Sequence, residues 1–134
     1  MTNVIYNDSY TINCTGDACI GDVILFTEGV FYGSYRKPKF VGERRIAARI
    51  VKDSYGSAKQ QHTFTLEVIS SDGTDPLQPG TVTKRKGRNI YRNGTMRQPW
   101  TDEAARKEVL NDKHERGAAA REARDDRKGL YDIV

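Results

Sequence analysis

The sequence predicts a mainly β fold, a small antiparallel barrel or sandwich, followed by a long charged C-terminal α-helix. Three observations carry this. Two stretches, RRIAARIVKD and QHTFTLEVI, alternate apolar and polar residues with the period of a half-buried strand. Residues 101–128 are rich in alanine and hold eight acids and eight bases, a helical composition. The 134 residues suit one compact domain with an appendage. With 37% hydrophobic residues, below the roughly 45–50% of ordinary globular domains, and 30% charged ones, part of the chain must lie outside a packed core.

Taken in order, residues 1–19 alternate loosely and read as an N-terminal arm or one or two edge strands. Gly21-Asp22 is a turn that opens Val23-Ile24-Leu25-Phe26, a β-rich run of the buried kind. GSYRKPKFVGE, residues 33–43, is basic and full of turn residues, which predicts a long loop. Ile46, Ala48 and Ile50 then face inward, with Arg45, Ala47 and Arg49 opposite; after a connection containing Gly56, Phe64, Leu66 and Val68 repeat the pattern. SSDGTDPLQPG, residues 70–80, is a turn region, and a last strand falls around Thr81–Thr83 or Ile90–Arg92. The barrel domain is thus bounded at 20–97, with four to six short strands and no helix inside it. Its order of GDVILF, a long basic loop and two hairpin-like strands resembles an SH3-like small β-barrel.

At Pro99 the character changes, and residues 98–134 form a charged helix with an apolar tail. Thr101 is placed to cap the helix, with Asp102 and Glu103 in the first turn where the dipole favours acids. Asp102–Arg106, Glu103–Lys107 and Asp112–Arg116 are i,i+4 pairs with the acid first. Gly117 is expected to bend or interrupt the helix, which then continues to about residue 128. Val109 and Leu110 are its only sizeable apolar side chains, too few to bury a wide face. The helix is therefore expected to lie on the surface, project, or gain its burial from a partner. The chain ends in GLYDIV. Leu130, Tyr131, Ile133 and Val134 either pair as an edge strand, dock into another chain, or fold back on the protein's own core.

Charge is distributed unevenly. Residues 1–34 carry four acids and no base, and residues 35–60 carry eight bases and two acids. KRKGRNIYRNGTMRQPW, residues 84–100, carries six bases and no acid. Clustered Lys and Arg neutralise phosphates and release counterions, Arg pairs bidentately with phosphate, and aromatics stack on unpaired bases. The expected nucleic-acid-binding residues are therefore Lys84, Arg85, Lys86, Arg88, Arg92 and Arg97, with Tyr91 and Trp100 stacking or positioning the loop. Arg36, Lys37 and Lys39, flanked by Tyr35 and Phe40, extend the track from a second loop. The plainer alternatives are solvated basic loops and a Trp100 that staples the helix to the barrel.

Catalytic and metal-ligating patterns are missing from the sequence: no nucleophile elbow, no Walker loop and no His–carboxylate metal motif. Asp53 ends one strand and His62 begins the next, so the two can meet, but a histidine at a strand edge is more often a hydrogen-bonding group. Cys14 and Cys19 are too few for a disulfide framework and lack nearby histidines for zinc, so no cofactor or metal is expected. They read as reduced thiols, with a local disulfide as the alternative. The sequence holds neither a membrane-length apolar run nor a signal-peptide pattern, which leads to an expected cytoplasmic location and no membrane partner.

The function expected from these residues is a non-enzymatic nucleic-acid-binding accessory protein, for DNA or RNA. The rival is a small regulator or inhibitor that docks on a host protein through Val109, Leu110 and the apolar tail, or a minor structural component of an assembly, with homo-oligomers open. The compact size and Arg/Ala-rich helix resemble small bacteriophage accessory proteins, which implies the host cytoplasm as their setting.

Overall fold

Alternating side chains on three consecutive strands build one face of the core. Ile24 and Phe26, Ile46, Ala48 and Ile50, and Phe64, Leu66 and Val68 are all buried together. The computed structural model describes residues 7–55 and 62–132, with side chains described for 8–54, 62–119 and 122. Its strands are β1 (Ile12–Asn13), β2 (Val23–Gly33), β3 (Pro38–Tyr55), β4 (His62–Gly73), β5 (Val82–Lys86) and β6 (Thr95–Arg97). A short helix α1 (Gly87–Tyr91) lies between β5 and β6, and α2 (Glu103–Asp132) follows. The strands form one antiparallel sheet in the order β1-β6-β2-β3-β4-β5. Among the described residues β1 and β5 are its edges, so the sheet is not hydrogen-bonded into a closed barrel.

The fold class is thus mainly antiparallel β with a C-terminal helix, and several elements differ in extent from the sequence expectation. The strands of the central hairpin are long: β2 has 11 residues and β3 has 18. The expected loop at 33–43 is the tip of that hairpin, with only residues 34–37 outside the strands. Pro38 sits at the first position of β3, where its missing N–H costs no ladder bond. Every residue from 31 to 40 is exposed, so this part of the hairpin is an arm standing clear of the core. An arm wet on both faces has no apolar/polar alternation, and its Gly and Pro residues therefore read as turns.

Val82–Lys86 is the strand expected near Thr81–Thr83, although β6 follows it, whereas Ile90 lies in α1 and packs into the core. The β6 strand was not foreseen, and it pairs with β1 on one side and Ile24–Phe26 of β2 on the other. On the opposite face of the sheet, Tyr10, Leu25 and Ala47 form a second buried group with Val23 and Met96. Residues 1–19 split as a 3-10 turn at Asn7–Ser9, the edge strand β1 and a folded loop whose Cys14, Ala18 and Cys19 enter the main core; residues 1–6 lie outside the description.

The helix α2 runs without interruption through Gly117, which is buried. It docks with cations rather than a wide apolar face. Arg106 and Lys113 are buried, and together with Gly117 they fall on one side of the helix at spacings of seven and four. Val109 and Leu110 are half-buried. The helix continues through Leu130, Tyr131 and Asp132, so the C-terminal edge-strand alternative does not hold there. The side chains of Leu130 and Tyr131, and all of Ile133 and Val134, lie outside the described residues.

Candidate functional site

The loop before β2 supplies the anchor for α2. Asp22 is wholly buried, and its carboxylate accepts the Cys19 backbone N–H at 3.0 Å and the Trp100 indole N–H at 2.7 Å. It also accepts Nε and Nη2 of Arg106 at 2.8 and 2.9 Å. Gly21 takes a positive φ of 94°, and its missing side chain leaves room for the Trp100 ring, which would lie 2.9 Å from a Cβ there. Trp100 thus staples the start of α2 to the sheet, the plainer of its two sequence readings.

Further along α2, Lys113 Nζ donates to the Ala18 carbonyl at 2.8 Å and lies 5.6 Å from the centre of the Phe64 ring. Arg116 donates to both oxygens of Asp53, at 2.6 and 3.2 Å. Asp53 and His62 do meet, with Nε2 3.5 Å from Oδ2. Burial and the neighbouring Lys113 push the His62 pKa down to about 4 despite Asp53. This group holds a neutral imidazole inside a helix-docking network. Cys14 and Cys19 are free thiols, both buried, and burial followed by the negative Asp22 raises their pKa to about 12. Such thiols are poor nucleophiles and poor metal ligands. Among the described residues no group of three or more metal-ligating side chains comes together, and no helix is long and apolar enough to cross a membrane.

The basic stretch at 84–100 separates into two sets. Arg85 donates to Glu28 at 2.8 and 3.0 Å, beside Arg44, which reaches the same carboxylate at 2.8 Å. Burial pushes Glu28 up, but the hydrogen bonds from Arg85 and Arg44 outweigh it and hold the carboxyl below its usual range. Arg97 is buried and pairs with Glu103 at 2.7 and 3.0 Å. Hydrogen bonds from Arg97 and from the Trp100 backbone hold Glu103 down to about 2. Tyr91 packs edge-on against Phe64, and its hydroxyl accepts the Ala18 N–H at 3.1 Å. Arg85, Tyr91, Arg97 and Trp100 are therefore committed to the fold.

The second set is exposed. Lys84 and Lys86 alternate with Arg85 along the edge strand β5, and Arg88 and Arg92 follow on and after α1. Arg36, Lys37 and Lys39 are exposed at the arm. None of these seven makes an ion pair among the described residues. Lys52, also exposed, joins them in register, because Lys52 and Lys84 both pair with Thr65 of β4. The arm brings four aromatics into solvent: Phe31, Tyr32, Tyr35 and Phe40. Phe31 and Phe40 are cross-strand partners stacked edge to face at 5.5 Å.

The arm and α1 adjoin at one place. A cavity of about 230 Å³ is lined by Glu28, Gly29 and Phe31 from β2, and by Asn89, Arg92 and Asn93. It lies where β6 has ended its pairing at Phe26, which leaves the β2 edge open among the described residues. Of this lining the sequence reading singled out only Arg92; Glu28, Gly29 and Phe31 precede the basic loop expected at 33–43, and Asn89 and Asn93 carry no charge that would mark them within the basic stretch.

A family described as "Domain of unknown function (DUF7699)" matches residues 19–100. The chain belongs to this family. The matched segment runs from Cys19 to Trp100, and so includes the arm, β5, α1 and the cavity, and stops short of α2. The chain is also similar to "Zinc finger CCCH domain-containing protein 62" of Oryza sativa subsp. japonica, 45% identical over 122 residues. That alignment covers 87% of this chain and 17% of the relative, so the chain spans about a sixth of the relative's length.

Proposed function

We propose that this DUF7699 domain is a non-enzymatic nucleic-acid-binding module, with the β5–α1 cations as its phosphate-facing surface and the arm as its extension. The observation that supports this most is the division of the cations. Arg106, Arg85, Arg116 and Arg97 are paired with Asp22, Glu28, Asp53 and Glu103, while Lys84, Lys86, Arg88, Arg92, Arg36, Lys37 and Lys39 are exposed with no ion pair among the described residues. A surface that keeps its positive charges uncompensated attracts a polyanion. The aromatic contribution passes from Tyr91 and Trp100, which serve the fold, to the exposed rings of the arm. Two buried, unbridged thiols suit a reducing intracellular compartment such as the cytoplasm.

The test is fluorescence anisotropy with labelled oligonucleotides, comparing the wild-type chain with a Lys84→Glu/Lys86→Glu/Arg88→Glu variant. Arg85 is left alone because reversing it would set two carboxylates against each other at Glu28. The reading expects binding that weakens with salt and is lost in the variant while the fold, by circular dichroism, is kept. Equal binding by both proteins would remove this surface from consideration.

A further inference from the structure

The structure assigns the cavity between the arm and α1 to a single unpaired nucleobase, which makes single-stranded nucleic acid the ligand class of the proposed interface; this rests on the nucleic-acid reading above. The size is the first argument. About 230 Å³ is below the roughly 300–1,000 Å³ of sites for drug-sized molecules, and suits one planar ring system. The lining is the second. Phe31 offers an exposed ring (56% accessible) fixed by its edge-to-face partner Phe40. Gly29 lets these rings lie close over the strand, since a Cβ there would meet them at 3.1 and 3.3 Å. Rings held in this way form a platform on which any base can stack.

Polar groups around the platform match base edges rather than phosphate. Asn93 donates Nδ2 to the Thr27 carbonyl at 3.1 Å, which fixes its orientation and leaves its carbonyl oxygen as an acceptor. Asn89 is half-exposed and carries both a donor and an acceptor. Glu28 also lines the cavity, and its Oε2, which takes one hydrogen bond from Arg85, can accept an N–H of a base as well. Arg44 and Arg85 both donate to this carboxylate, so its negative charge does not stand against a ligand at the cavity floor. Arg92 at the same cavity is exposed, where it can meet the backbone phosphate next to the seated base. A duplex keeps its bases stacked and cannot fill this site without unpairing.

The experiment measures affinities of the full chain for a labelled single-stranded 12-mer and for the matched duplex, with Phe31→Ala and Asn89→Ala variants beside the wild type. Phe31 is exposed, so its loss leaves the core untouched. The expected result is tighter binding of the single strand than of the duplex, a loss of about tenfold for the single strand in Phe31→Ala, and an unchanged salt slope, because no phosphate contact is removed. Duplex bound as tightly as single strand, or Phe31→Ala bound as wild type, overturns the base site. If binding in that case is still lost in the Lys84/Lys86/Arg88 charge reversal, the phosphate surface stands without the base site; if the wild type binds neither form, both readings fail.

Discussion

Asp22 and Arg106 form a bidentate ion pair, at 2.8 and 2.9 Å, with the carboxylate wholly buried and the guanidinium side chain 9% exposed. Eighty-four positions separate them, and their pair ties the start of α2 to the loop that opens β2. A helix with mostly polar side chains is held here by charges whose desolvation has to be offset by geometry. Asp22 meets that requirement with four nitrogen donors converging on its two oxygens.

Removing the charge at one end leaves the other buried and unpaired. Asp22→Asn is expected to destabilise the fold by about 3–5 kcal/mol, read by urea denaturation followed through Trp100 fluorescence. The double variant Asp22→Asn/Arg106→Met should recover part of that loss, because the unpaired guanidinium is gone. A double variant no more stable than the single one would mean that the pair is not what anchors α2.

Glu28 organises the root of the arm by holding Arg44 and Arg85 together. Glu28→Gln keeps the shape but sets two half-buried guanidinium groups side by side with only the exposed Asp75 carboxylate, 4.0 Å from Arg44, as counter-charge. The expected cost is about 2–3 kcal/mol, the loss of charge-assisted hydrogen bonds, with faster amide exchange in residues 26–33 and 38–46. Unchanged exchange there would place the arm's support elsewhere.

The extent of the arm was hard to read from sequence for a definite reason. Alternation marks a strand only where one face is dry, and it picked out Ile46, Ala48 and Ile50 and Phe64, Leu66 and Val68 with the correct inward set. Residues 31–40 are wet on both sides, so Gly33 and Pro38 spoke louder than Tyr32 and Lys39. The docking of α2 was equally hidden, because hydropathy counts Arg106 and Lys113 as surface residues while their partners Asp22 and the Ala18 carbonyl come from a distant loop. Basic composition did locate the candidate surface, but could not separate Arg85 and Arg97, which are paired, from Lys84, Lys86, Arg88 and Arg92. That distinction depends on where Glu28 and Glu103 sit in space.

His62 gives the stability a pH dependence. Its folded pKa of about 4 lies below the ordinary value of 6.5, so the unfolded chain takes up the proton first. Stability is therefore independent of this group above about pH 6.5 and falls as the pH drops from there towards 4, by roughly 3 kcal/mol or slightly more in all. Thermal denaturation across that range should show the slope, and His62→Gln should flatten it. A slope unchanged in the variant would assign the dependence to the carboxylates instead.

Two glycines with similar backbone angles predict different costs. Gly73 has φ 94°, and a Cβ there would lie 2.6 Å from the Glu43 carbonyl oxygen. Gly80 has φ 86° and open space around it. Gly80→Ala should cost about 1–2 kcal/mol, the left-handed backbone alone, and Gly73→Ala clearly more, because the β3–β4 ladder must also shift. Equal melting temperatures for the two variants would contradict this ordering.

The most direct measurement of the central claim is the salt dependence of oligonucleotide binding, taken as the slope of log affinity against log salt for the wild type and for Lys84→Gln, Lys86→Gln, Arg88→Gln and Arg92→Gln singly. Each cation that meets a phosphate should lower the slope by about 0.7–0.9 when neutralised, while Lys107→Gln, on the separate helix α2, should leave it unchanged. Slopes identical in all five variants would contradict a phosphate-facing surface on β5 and α1.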